Sequence, residues 1–464
     1  MMMKRRINFG LMIILTLILS MVAVVTVPAN GTELTVGLYP YVPRLEQFQI
    51  AIKTEWAKVQ PKVTLKFLSA ADWDGGYSNN PPENADVYVF DALFFDYFQS
   101  QNWLEPMQAS EIVNLDDFVK YAIDGVKVGK QYYAIPQLGC ANILFYQKDD
   151  EALVKATTLS EINEVLSQCT YTSQIPPDRR GLMLDLVGGT TNASLYLDTV
   201  HSLTGQYPFP LPWDKSQLNS TALDNMRKLL TMASYQNGTT SLKDYERASW
   251  FSKGWGRAFI GYTESMSKMS EETRKKISFK VMPLSDNHKP PLFYADVIAV
   301  NTTTHQRSTR NLAVQLANVM AASATMVASI GPDSDNPHPQ YLMATRPSVF
   351  QTLASTFPIY NDMYDLIEKN HPLMFKVGKQ SHQWLTAMKD TIRTRVRQNY
   401  PCGCDYPATQ LIPSNNEAQA ICKAICVDHG GWNGQWTNEN LPTSLSKSMC
   451  GCKACPVPSV SIAK

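Results

Sequence analysis

The sequence predicts an α/β protein built as two lobes, followed by a small disulfide-rich α+β module. Three observations lead there. Apolar segments with strand and helix periods alternate from Leu34 to about Asn301. Across 464 residues, 44% are hydrophobic and 18% charged, which is enough apolar material for more than one core. Of the nine cysteines, Cys402, Cys404, Cys422, Cys426, Cys450, Cys452 and Cys455 all follow Pro401, which leaves Cys140 and Cys169 to the rest of the chain.

At the N-terminus Lys4, Arg5 and Arg6 precede an apolar run over 11–27, and Val27-Pro28-Ala29 offers a small-residue cleavage site. Residues 1–29 therefore read as a secretory signal, with an uncleaved anchor as the alternative. No later segment is long and apolar enough to span a bilayer. The main body, 30–398, opens with a short strand at 34–38. Leu45, Phe48, Ile52, Trp56 and Val59 then recur at helical spacing until Pro61 ends the run. Val63, Leu65 and Phe67 alternate as a half-buried strand. A buried strand at 87–90 leads into a helix over 92–101. Strands at 132–135 and 143–146 flank Cys140. Helices are expected near 160–168, 195–203, 221–235, 242–252 and 265–276. Strands are expected near 182–187, 258–262, 278–282 and 295–300. From 311 to about 391 the pattern is mostly helical. Such alternation argues for mainly parallel sheets covered by helices.

In the module, 399–464, Ser414 and Glu417 form an S-x-x-E capping box that opens a helix. Cys422 and Cys426 then stand one turn apart on one face. Seven tail cysteines is an odd number, so one thiol is free, bridges to Cys169, or joins another chain. The C-x-C and C-x-C-x-x-C spacings also admit a zinc reading, but His429 is the lone histidine nearby and an exported chain favours disulfides.

A formal net charge of +1 without a basic stripe argues against nucleic acid as a partner. The seven histidines are scattered without metal-ligand spacing, and G-x-S-x-G, G-x-G-x-x-G and P-loop motifs are missing. Neither a metal nor a cofactor is expected, and the chain is expected to be a monomer. Sequons begin at Asn30, Asn192, Asn219, Asn237 and Asn301, which matter only if the source glycosylates.

The chemistry concentrates in two segments. Cys140 lies in A-I-P-Q-L-G-C-A-N-I-L-F-Y, between two apolar stretches. On its own it reads as a small buried hydrophobe at least as readily as a nucleophile. Glu264 lies in G-R-A-F-I-G-Y-T-E-S-M, after an apolar strand-like run. A carboxylate at a strand end suits a cleft, where partial desolvation raises its pKa and makes it a base.

Further motifs surround these two. They are G-L-Y-P-Y-V-P at 37–43, D-W-D-x-x-Y-S at 72–78, V-Y-V-F-D at 87–91, G-G-T-T-x-A-S-x-Y-L at 188–197, Y-x-R-A-S-W-F at 245–251 and F-Y-A-D-V-I-A-V-N at 293–301. In this order and spacing the chain resembles the thiaminase I family from about Leu34 to about Thr391. The resemblance implies a two-lobed type II periplasmic-binding-protein-like fold. Lobe one would be 34–138 with 293–398, and lobe two 139–292. It also implies a secreted transferase that replaces the thiazole of thiamine with an organic base or thiol. Cys140 would be the nucleophile, adding to C6 of the pyrimidine, and Glu264 its base. Asp91 and Asp296, carboxylates on buried strands, would hold the aminopyrimidine and favour a cation. Tyr41, Tyr77, Tyr245, Tyr262 and Tyr294 would stack on the rings or donate hydrogen bonds, or else belong to the core. Gly188-Gly189-Thr190-Thr191 is a phosphate-cradling turn or a plain helix cap. A non-catalytic thiamine- or pyrimidine-binding protein on the same scaffold is the alternative.

The tail segments S-N-N-E-A-Q at 414–419 and H-G-G-W-N-G-Q-W at 429–436 resemble one repeat of the cyanobacterial mannan-binding lectin family. Trp432 and Trp436 are then either faces for mannose-type sugars or the core of a tiny domain. If the tail is the working end, the protein acts through glycans.

Overall fold

The computed structural model describes residues 31–166, 181–184, 186, 188–236, 245–397, 404–437 and 448–453. The signal segment, Cys169, Cys402, Cys455 and the sequons at Asn30 and Asn237 lie outside them.

The chain opens with β1 (Glu33–Gly37), a helix over Leu45–Val59, β2 (Thr64–Phe67) and β3 (Val87–Asp91). Phe48, Ile52 and Trp56 bury one face of the helix, and Trp56 Nε1 closes its end by donating to Val63 O at 2.9 Å. Every residue of β3 is buried, as its unbroken apolar run requires for a central strand. A hairpin of β4 (Lys127–Val128) and β5 (Gln131–Tyr132) precedes β6 (Ile135–Cys140). Then come β7 (Ile143–Gln147), β8 (Leu182–Leu184), β9 (Ala233–Gln236), β10 (Ala258–Gly261), β11 (Ile277–Val281), β12 (Leu292–Val300), β13 (Met343–Ala344) and β14 (Leu373–Met374).

Two sheets result, one per lobe. The first is seven-stranded in the order β13-β6-β12-β3-β1-β2, with β14 on β12. The second is five-stranded in the order β11-β7-β10-β8-β9. The chain leaves the first sheet between β6 and β7, immediately after Cys140, and returns between β11 and β12. The sheets are mixed, not mainly parallel as the alternation implied. β1 runs parallel to β2 and β3, but β12 is antiparallel to β3 and β6, and β7 to β10 and β11. The crossings between lobes run from β6 to β7 and from β11 to β12, so β6, β7, β11 and β12 are not joined to their sheet neighbours by the helical crossovers that a parallel pair requires.

Local departures have local causes. The strand before Cys140 starts at Ile135 and not at 132. Pro136 is tolerated because the β6–β12 register shifts there, between Asp296 and Val297. The helix expected at 195–203 begins at Gly189, because the buried Asn192 side chain donates to Leu186 O and Gly188 O and ties down the first turn. The helix expected through 235 ends at Thr231, since β9 pairs in parallel with β8. The segment expected as one helix over 265–276 is a 3-10 stretch, Thr263–Lys268, and a separate helix, Glu271–Lys276, capped by Ser270. The helix Ser381–Arg397, placed with lobe one on sequence, packs along the lobe-two helices Gly189–Thr204 and Ser220–Thr231. Trp384 Nε1 donates to Pro212 O at 2.7 Å there. Asn192 and Asn301 are buried, which closes these two sequons to glycans, and Asn219 caps a helix with its side chain.

The tail forms its own small core of Ala408, Ile412, Ala418, Cys422, Cys426, Cys450 and Cys452. Strands β15 (Cys404–Pro407), β16 (Trp432–Thr437) and β17 (Met449–Cys452) make an antiparallel sheet in the order β15-β17-β16. The helix Asn415–Ile425 lies against it, with Ser414 accepting from Glu417 N. Disulfides join Cys422 to Cys450 and Cys426 to Cys452. Cysteines one helical turn apart thus meet cysteines two apart on a strand, the spacings that put each pair on one face. Each bridge closes a loop of 28 or 26 residues. In the chain-entropy account that contributes about 3–4 kcal/mol per bridge, large for so small a core.

Candidate active site

A cavity of about 540 Å³ opens between the lobes where the chain crosses. Strand register builds its floor. On β12, Tyr294 stands opposite Cys140 of β6, and Asp296 stands opposite Asp91 of β3. Residues two apart on a strand share a face, so thiol, ring and both carboxyls form one patch. Cys140 ends its strand half-buried and is the one free cysteine among the described residues. Glycine precedes it, and a Cβ on Gly139 would press on the Tyr121 hydroxyl, which would have to move.

Lobe two supplies the opposite wall. Glu264 sits in the 3-10 stretch after β10, 6% exposed. Tyr245 adopts a left-handed backbone at φ +59°, uncommon and strained for an aromatic residue, and its hydroxyl donates to Glu264 Oε1 at 3.4 Å. Tyr262, Tyr77 and Tyr41 also line the space, Tyr41 at the exposed rim. The structure therefore brings Cys140, Glu264, Asp91, Asp296 and the five tyrosines to one cavity, while Trp432 and Trp436 lie in the tail.

Charge is crowded here. Burial pushes Glu264 up to about 7, against weaker hydrogen bonds from its own backbone, Tyr245 and Thr263. Burial likewise lifts Asp91 to about 6, although Leu93 N and the Tyr77 hydroxyl donate to its two oxygens at 2.9 and 2.6 Å. Asp91 thus also caps the turn Ala92–Phe94. Asp296 is pushed up by burial, then by the Asp91 and Glu264 carboxylates. The Cys140 thiol is pushed up by burial, then by Glu264, Asp296 and Asp91, with a hydrogen bond from the Ala141 backbone opposing. Burial and the crowded carboxylates therefore favour the protonated thiol and resist full ionisation of the acids. A cationic ligand would relieve both.

A thiaminase-1 domain model matches residues 141–285. Thiaminase-1 of Paenibacillus thiaminolyticus is 35% identical over 369 residues, covering 78% of this chain and 88% of that protein. The chain belongs to the thiaminase-1 family. The structure of Clostridium botulinum thiaminase I in complex with thiamin is 35% identical with a TM-score of 0.74, covering 79% of this chain and all of that one. A maltotriose-binding protein of Thermus thermophilus shares the fold alone, at 13% identity, a TM-score of 0.51, and 78% and 100% coverage. The two-lobed binding-protein-like class is thereby shown. A mannan-binding protein model matches residues 415–452.

Sequence reasoning passed over several cavity residues of this thiaminase-1 family member. Tyr39 precedes Tyr41 by two in the quoted G-L-Y-P-Y-V-P, and Arg247 follows Tyr245 by two in Y-x-R-A-S-W-F. The signal was period-two spacing within motifs already singled out. Gly188, Thr190, Thr191 and Ser194 reach the cavity from the start of the helix Gly189–Thr204, so the G-G-T-T turn is both a helix start and a wall. In the tail, Trp432 and Trp436 are half-buried against the disulfide core, and Trp436 Nε1 donates to Asn415 Oδ1 at 2.9 Å. Tyr406 and His429 stack on each other with ring centres 3.6 Å apart.

Proposed function

We propose that this protein is a secreted thiamine-degrading transferase that exchanges the thiazole of thiamine for another nucleophile through an adduct at Cys140. The observation that carries this reading is the cavity itself, with a half-buried free thiol, a buried carboxyl that titrates near neutrality, and two further carboxyls facing it. Thiamine joins an aminopyrimidine through a methylene to a cationic thiazolium. Asp91 and Asp296 hold the aminopyrimidine, and the tyrosines pack on the rings. The thiazolium charge offsets the carboxylates that otherwise hold the thiol protonated.

Glu264 takes the Cys140 proton as sulfur adds to C6 of the pyrimidine. The ring's added electron density expels the thiazole, which departs neutral with the bonding pair. Glu264 then releases the thiol's proton to solvent. The incoming nucleophile bonds to the methylene and gives up its own proton to Glu264, the ring releases the Cys140 thiolate, and Glu264 returns a proton to it. One difficult displacement becomes several easier steps. With a pKa of about 7, Glu264 is split between base and acid near neutral pH, which suits a group that must both take and return protons.

Incubation with thiamine and aniline should release free thiazole. Cys140→Ser should bind thiamine without cleaving it, and a chloropyrimidine analogue should label Cys140 by peptide mass spectrometry. Full turnover in Cys140→Ser would sink the mechanism. Thiamine bound but never cleaved by wild-type protein would favour a solute-binding protein instead.

The matched mannan-binding model favours a second role for the module, as a binder of mannose-type glycans through the Trp432 and Trp436 region. The two tail disulfides among the described residues and the basic-then-apolar N-terminus support export to an oxidising compartment.

A further inference from the structure

We propose that Arg247 is a specificity-determining residue for the second substrate: it selects, as the incoming nucleophile, an amine or thiol that carries a carboxylate. The inference rests on the thiamine-cleaving reading above and deepens it.

The two walls of the cavity differ in charge. Lobe one brings Cys140, Asp91 and Asp296 on adjacent strands. Lobe two brings Glu264 and Arg247, and Arg247 is the one basic side chain lining the cavity among the described residues. The same short helix sets Arg247 and the partner of Glu264. Tyr245 caps the helix Glu246–Ser252 with its left-handed backbone, and its hydroxyl donates to Glu264 Oε1 at 3.4 Å. Arg247 follows two residues later, in the first turn of that helix. Thr190, Thr191 and Ser194 add hydroxyls to the same wall from the helix Gly189–Thr204.

Thiamine alone does not account for this arginine. Its thiazolium is a cation, which the three carboxyls of the cavity attract and a guanidinium repels. The second substrate does account for it, because the chemistry fixes where that molecule stands. It must reach the methylene that the thiazole has left, and it must hand its proton to Glu264. Both requirements put its body in the space the thiazole vacates, on the lobe-two wall. Facing three carboxyls alone, a nucleophile with an acid group would be repelled there. Arg247 reverses the sign locally. Its forked donors match the two oxygens of a carboxylate and bind them in parallel. The amine nitrogen or thiol sulfur bonds to the methylene carbon, and its proton passes to Glu264. The carboxylate takes no part in bond making and rests on Arg247 throughout.

The test compares kcat/KM, at saturating thiamine, for two anilines of like shape: 3-aminobenzoate, which is anionic, and 3-methylaniline, which is neutral. Wild-type protein should prefer 3-aminobenzoate about ten-fold, the scale of one charge-assisted contact. Arg247→Gln should bring the ratio to within about two-fold of unity. Arg247→Lys should keep a ratio between the two, since the charge stays and the fork is lost. An arginine that merely balances the acids of the cavity would slow both nucleophiles alike and leave the ratio unmoved. If Arg247→Gln does not fold, the wild-type ratio and its shift in Arg247→Lys decide the matter. Equal use of the two anilines by wild-type protein, or a preference that survives Arg247→Gln unchanged, overturns the inference while leaving the thiamine reading intact. Wild-type protein that releases no thiazole with either aniline removes that reading, and this inference with it.

Discussion

Replacing Glu264 by glutamine should make the protein less active and more heat-stable, with the gain confined to neutral and alkaline pH. Glu264 is buried, and its pKa rises from 4.5 to about 7. A carboxyl raised on folding favours the fold while protonated, so its contribution is fully present below pH 4.5. It is lost as pH climbs to about 7 and beyond. A rise of this size corresponds to about 3 kcal/mol at 1.36 kcal/mol per pKa unit. Glutamine keeps the shape and removes the charge, and its oxygen can still accept from the Tyr245 hydroxyl that now reaches Oε1 at 3.4 Å. The two proteins should therefore melt together at pH 4.5. The variant should gain up to about 3 kcal/mol by pH 8, about 4 °C for a chain of this size. The raised acids Asp91 and Asp198 are common to both proteins and cancel in the difference. Thermal melts at pH 4.5, 6, 7 and 8 without ligand measure this directly. Turnover, assayed alongside, should fall about a hundred-fold or more, the scale of a lost general base. A melting difference that is flat with pH, or a variant that melts lower at pH 8, would refute the reasoning. Glu264 would then be a stabilised carboxylate and not a strained one.

Other outcomes follow from the same geometry. Asp296→Asn should weaken thiamine binding more than it alters melting. Asp91→Asn should do both, since Asp91 also caps a turn; equilibrium binding to the Cys140→Ser protein separates the two effects. Gly139→Ala should destabilise by about 1–3 kcal/mol and displace Cys140, read as slower chloropyrimidine labelling, because the added Cβ meets the Tyr121 hydroxyl. A chain ending at Asn399 should fold and retain thiamine cleavage while losing any glycan-array signal of the full protein; equal signals from both would remove the glycan role.

Much of the first sheet was legible because its strands are short, buried and bounded. Residues 87–90 were read as a strand from apolar run length alone, and Leu45 to Val59 as a helix from spacing and Pro61. The stretch around Cys140 was read less well. Pro136 and Gly139 look like strand breakers; the register shift against β12 makes Pro136 admissible, and the Tyr121 hydroxyl fills the space beside Gly139. The same holds for β9, whose residues continue a helical pattern but find a pairing partner in β8. Such pairings join residues far apart in the chain, so local propensity carries no trace of them.

By itself the sequence determined the class of the fold, the separate disulfide module, and which long motifs carry a thiol, carboxyls and tyrosines. Those are properties of residue type and spacing, and they survive without coordinates. Tertiary structure alone decided that these motifs meet. It set Tyr294 opposite Cys140 and Asp296 opposite Asp91 through ladder register, and it placed Tyr39 and Arg247 in the same cavity. It also decided the chemistry of the acids. A carboxyl's pKa is fixed by how much water and which charges surround it, and the neighbours that exclude water from Glu264 come from both lobes.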